Sequence, residues 1–353
     1  CSKQGYAIKL FQVLNTRGLD LSHADLIKSH LYGVLDDETE RQQFISTWHE
    51  VETLSKQMDE SITDLFTYYE YYLLARNPKR ALYEELKDQF KGREPNNVIF
   101  EFKRFVEFFD EVFRQQSKLV YSFWYLPNQV FWKAILTSAK KEGFQDFLAL
   151  CRELRRAYYS YWIAGYTTSK IKQLSFNLIG WIKAGKTLRE IKDEMDTKMR
   201  EDKVFQRMKE NLEGEVYWYS WLKPLLALVE YEQTDDSKIT FIDLDRKIHV
   251  DHVLPQEWQI VDYWGKLWTE EKANNWLHRL GNLTLLSGRK NIRASNKSLD
   301  EKKRIYKGRG LDGTTAFLIT QNIIGKTDWT ENDVKGRQEW MIGQIKKILG
   351  INC

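Results

Sequence analysis

Apolar residues recur every three or four positions through most of the chain. In ERQQFISTWHEVETLSKQM, Phe44, Trp48, Val51, Leu54 and Met58 share one face at helical spacing. The same period runs through SITDLFTYYEYYLLAR, NVIFEFKRFVEFFDEVFRQ, FQDFLALCRELRRAYYSYWIAG, TSKIKQLSFNLIGWIKAG, TLREIKDEMDTKMREDKVFQRMKENL and GEVYWYSWLKPLLALVEYE. Breaks are expected at Asn77-Pro78, between Gly92 and Asn97, between Tyr125 and Asn128, and at Gly165 and Gly185. Ser22, with Asp25 three residues on, reads as a helix N-cap. A helical region over 37–233 follows from this pattern.

Near Thr234 the pattern changes. KITFIDLD and KIHVDHVLP are short segments with strand propensity, and GNLTLLS is another. EEKANNWLHRL reads as a short helix, and SNKSLDEKKRIYKG as a second, which Ser295 can cap. GTTAFLITQNIIG and WTENDVKGRQEWMIGQIKKIL make a helical ending. The fold class expected is therefore mainly α-helical, with a small mixed α+β unit embedded in it.

Composition narrows the class. The chain has 353 residues, 42% of them apolar, and a net charge of only +4, too mild to argue for nucleic acid unless the charge is concentrated locally. Thirteen Trp and eighteen Tyr suit thick helix interfaces whose N–H and O–H groups find partners. No stretch approaches the roughly 20 apolar residues of a membrane span, so no membrane partner is expected. Cys1, Cys151 and Cys353 show no metal-like spacing, which fits a reduced, cytoplasmic compartment.

The chemistry concentrates in HVDHVLPQEW. Asp251 and His252 are adjacent at a strand end that Pro255 closes; Asn282 and Asn291 follow downstream. One carboxylate, one imidazole and two amides make a poor zinc site. They suit one hard ion such as Mg²⁺, which takes few protein oxygens and keeps several waters. A neutral histidine can take a proton from water, so phosphodiester hydrolysis fits these residue types; a polar strand end of no chemical role fits them too. From Ser287 to Gly310 nine Lys/Arg face two acids. Such a patch attracts and positions a phosphate backbone. Its expected DNA contacts are Arg289, Lys290, Arg293, Lys297, Lys302, Lys303 and Arg304. Arg152, Arg155 and Arg156, interleaved with aromatics, offer either a second surface or core arginines that snorkel and pair.

DHVLPQ followed by NLTLLSGRKN resembles the ββα-metal fold of HNH, or His-Me finger, nucleases. The longer run HVDHVLPQEW…LHRLGNLTLLSGRKNIRASNKSLDEKKRIY is similar to the C-terminal nuclease domain of the GmrSD-type family (DUF1524) over about 240–310. LFQVLNTRGLDLSHADLIKSHLYG resembles the end of the DUF262 domain that usually precedes it, without that domain's upstream glutamine-arginine motif. The resemblance implies three parts: residues 1–36 as a DUF262-like remnant, 37–233 as a helical domain, and 234–353 as an HNH nuclease domain with a helical ending. It implies His252 as general base, Asn282 as the amide that orients it, and Asp251 and Asn291 as ligands of Mg²⁺ or Mn²⁺. Asp251 stands where many relatives carry Glu. His249 and Asn296 are secondary candidates, and His278 reads as a packed or capping residue. The activity implied is metal-dependent DNA cleavage or nicking in modification-dependent restriction or anti-phage defence, on double-stranded, modified or unmodified DNA. A preceding DUF262-like portion is the expected partner, and a homo-oligomer stays open. The alternative is a catalytically weak DNA-binding or regulatory module; a helical scaffold is the third class.

Overall fold

The computed structural model describes residues 21–308, 313 and 315–351. Most of the expected remnant over 1–36 lies outside the described residues. The described chain is mainly helical with a small two-stranded sheet. It divides into two compact units, one of residues 1–115, 128–150 and 168–193, the other of 116–127, 151–167 and 194–353.

The first unit is all helix in its described part. Ser22 and Asp25 form a reciprocal capping box that starts His23–Tyr32. Asp37 caps Glu38–Met58 by accepting from the Thr39 and Glu40 amides, and Ser61 caps Ile62–Leu74. Pro95 opens Pro95–Phe113, where its missing N–H costs nothing. The apolar stripes of these helices meet in an aromatic core. Phe66 stacks on Phe102 with ring centroids 3.7 Å apart, and Trp48, Tyr69, Phe105 and Trp132 are buried around them.

The second unit carries the mixed element. Strand β1 (Ile248–His252) pairs antiparallel with β2 (Leu283–Ser287), with Asp251 opposite Thr284 and His252 opposite Leu283. The helix Gly288–Ala294 follows β2 directly, and Leu299–Lys307 comes next. Val253, Leu254, Trp258, Trp264, Leu286, Leu299, Tyr306 and Trp329 form the core beneath the sheet. Glu331–Leu349 is started by a Thr330–Asp333 capping box and runs close to the turn that leads into β2. Gly281 sits at that closest approach. A Cβ there would fall on the Val334 carbonyl oxygen and 2.9 Å from the Gln338 amide nitrogen. The gap is used for bonding: the Gly281 amide donates to Gln338 Oε1 at 2.6 Å, and Arg337 donates to the Gly281 and Leu283 carbonyls.

Two local expectations change. KITFIDLD is not a strand, because side chains take up the backbone groups that a ladder would use. Tyr231 OH accepts from the Ile242 amide, and Lys223 Nζ donates to the Leu244 and Asp245 carbonyls. The cap of Leu299–Lys307 is Ser298, in a box with Glu301, whereas Ser295 ends the preceding helix with φ +33°.

Candidate active site

Successive residues of a strand point to opposite faces, and β1 uses both of its last two. Asp251 turns towards the helix Leu299–Lys307, whose residues 302 and 306 lie one turn apart on one face. Lys302 Nζ lies 3.3 and 3.4 Å from the two Asp251 carboxylate oxygens and also donates to the His252 carbonyl. Tyr306 OH donates to Asp251 Oδ2 at 2.7 Å. All three side chains are buried, and that of Lys302 is 0% exposed. Loss of water raises the Asp251 carboxyl and lowers the Lys302 ammonium; each partner's charge opposes the other's shift. The Tyr306 phenol is pushed well up, first by burial and then by the neighbouring carboxylate.

His252 turns the other way. Its Nε2 lies 3.1 Å from Nδ1 of His278, and the Tyr217 ring stands 4.3 Å from its own, centre to centre. Burial pushes His252 down to about 3, and the nearby His278 and Lys302 act in the same direction. The imidazole is therefore neutral at physiological pH. In a hydrogen bond between two imidazoles one ring donates and the other accepts. If His252 donates from Nε2, its Nδ1 keeps a lone pair able to take a proton.

Asn282 is fully buried, and its amide bonds to groups other than the imidazole. Its Oδ1 accepts from the Leu254 amide and from Trp329 Nε1; its Nδ2 donates to the Leu254 and Leu277 carbonyls. Four bonds exhaust the amide. It pins the exit of β1, where the Val253 amide also donates to the Asn282 carbonyl. Asn291 lies half-buried on Gly288–Ala294, and its carbonyl accepts from the Ser295 amide. His249 is exposed and packs against Gly288, while Asn296 donates to Glu257 at 2.6 Å.

The basic segment divides in two. Arg289, Arg293, Lys297 and Arg304 are exposed; Lys303 is half-buried and paired with Asp300, and Lys297 pairs with Glu301. Lys290 and Lys302, expected at a DNA surface, are buried instead. Lys290 donates to the Ile305, Tyr306 and Gly313 carbonyls, and Lys302 is committed to Asp251. Arg156 is also a core residue, bonded to Glu153 and Asp196. Arg155 is half-buried and bonded to the Ile348 carbonyl.

Asp251 and Asn291 were the expected ligand pair for a divalent ion. Both Asp251 oxygens already face an ammonium, so the donor set in this arrangement does not fit a divalent cation. Among the described residues no group of three or more His, Cys, Asp or Glu is placed to hold a metal. The residues that sequence reasoning missed are His278 and Tyr217. Their signals were the LHRL histidine and the aromatic run VYWYSW, both of which read as packing.

The strand-end histidine His252 and its neighbour His278 lie in a small mixed unit, within a segment that resembles a family of restriction-endonuclease type. Residues 202–344 match the family described as GmrSD restriction endonucleases, C-terminal domain. That segment is similar to a GmrSD-type C-terminal domain, and it lies wholly within the second unit. No curated protein matches the chain. Among the described residues no helix is long and apolar enough to cross a membrane.

Proposed function

We propose that the chain is a DNA endonuclease or nickase of modification-dependent restriction or anti-phage defence, with its nuclease unit, an HNH-like ββα element and helical ending, over 234–353. The observation that carries this reading is the neutral, buried His252 at the end of β1, inside the segment of restriction-endonuclease type. In this reading His252 takes the proton of the attacking water. A base at about 3 is weak, but an approaching phosphate anion favours the imidazolium and lifts it. His278, 3.1 Å away, acts as a positioning residue that fixes the tautomer, the role expected of Asn282. Arg289, Arg293, Lys297 and Arg304 hold the phosphate backbone on the exposed side.

Restriction endonucleases commonly use divalent metals, and Mg²⁺ or Mn²⁺ is the ion this class of chemistry calls for. Such an ion could use Asp251 only after Lys302 withdraws. No step is therefore assigned to it. The test is conversion of supercoiled plasmid, modified and unmodified, to nicked or linear forms in Mg²⁺ or Mn²⁺. Cleavage of either plasmid is expected, and its absence from both overturns the reading in favour of a catalytically weak DNA-binding module. Cleavage that persists in EDTA would remove the ion from the account.

A further inference from the structure

The loop between Val204–Glu213 and Leu222–Gln233 lies against the histidine pair and is fixed at its backbone. The Val216 amide donates to the His278 carbonyl at 2.8 Å, and Glu215 forms an antiparallel bridge with Arg279. The Tyr219 amide donates to the Val216 carbonyl, and the Tyr219 ring stacks on the buried Trp221. Tyr217 fills the inner side of the loop, with its ring 4.3 Å from His252 and 5.6 Å from His278. Trp218 is left outside. It is 74% exposed, yet its ring stands only 5.8 Å from His278 and edge-on to Tyr217. Leaving a large apolar ring in water forgoes the stabilisation that burial gives such side chains. A fixed loop that presents this ring beside a histidine pair calls for a planar occupant.

We propose that Trp218 is a stacking platform for an unstacked nucleobase next to the phosphate that His252 addresses. The inference rests on the proposed action at DNA. An indole face stacks on any base with little regard to sequence, but it needs a base face that is not covered by its neighbours. The ligand is therefore a single strand, or a duplex from which one base is extruded, since enzymes reach enclosed bases by taking them out of the stack. Trp218 then selects for locally opened DNA.

The test is equilibrium binding in EDTA, by anisotropy of labelled oligonucleotides, with a fully paired duplex compared with the same duplex carrying one bulged base. The wild type is expected to prefer the bulged duplex. Trp218→Ala is expected to weaken bulged-duplex binding by about tenfold, the low-to-middle range for loss of one base–aromatic stack. The paired duplex should change little, and Trp218→Phe should keep most of the preference. Equal affinity of wild type and Trp218→Ala for the bulged duplex overturns the proposal, as does an equal loss on both duplexes. Because binding needs no cleavage, a failure of the His252 base role would leave this comparison readable.

Discussion

At the scale of single residues, the buried trio of Asp251, Lys302 and Tyr306 is the most sensitive point. Taking away one member of a buried ion pair leaves the other charge without compensation, which costs roughly 3–5 kcal/mol. Lys302→Met is expected to lower unfolding free energy in urea by about that amount, and adding Asp251→Asn should recover part of it. An unchanged midpoint for Lys302→Met would show that the pair holds nothing together. His252 gives a pH signature. Its folded value of about 3 lies below the ordinary 6.5, so the unfolded chain binds more protons between those values. Stability is then complete above about pH 6.5 and is lost as pH falls towards 3. Thermal melts from pH 7 to 4 should fall less steeply in His252→Asn than in the wild type, and parallel curves would contradict the shift. The Asp-His step was legible because two functional residue types stood together before a proline. Their partners were not: His278 lies 26 positions and Lys302 51 positions away, and nothing local marks either contact.

Among elements, the turn into β2 decides where the histidine pair and the sheet meet. Gly281 lies against the backbone of Glu331–Leu349, and the missing Cβ lets Gln338 and Arg337 bond that turn directly. Gly281→Ala forces the helix and turn apart. A loss of roughly 2–3 kcal/mol is expected in denaturant unfolding, and a loss within 0.5 kcal/mol would mean the approach is adaptable. Helices were readable in the sequence since their apolar period and caps agree, as Ser22–Asp25 shows. β1 and β2 were readable from HVDH and LTLLS. KITFIDLD misled because its strand propensity was real, while Tyr231 and Lys223, outside the segment, took its backbone groups. The basic run misled in the same manner. A count of charges does not say which lysines turn inward, and Lys290 and Lys302 do.

Across the whole molecule, the family match and the candidate site fall in the same unit, which gives the nuclease reading its support. The helical first unit has an aromatic core but lies outside the matched segment. In the proposed function one imidazole, kept neutral by burial, begins the hydrolysis of DNA. Single-turnover cleavage of an end-labelled duplex by wild type and His252→Ala, matched for folding by circular dichroism, tests it most directly. The account predicts a fall of about 10²–10⁴-fold in rate, the range for loss of a general base. A variant that cleaves at the wild-type rate would contradict it.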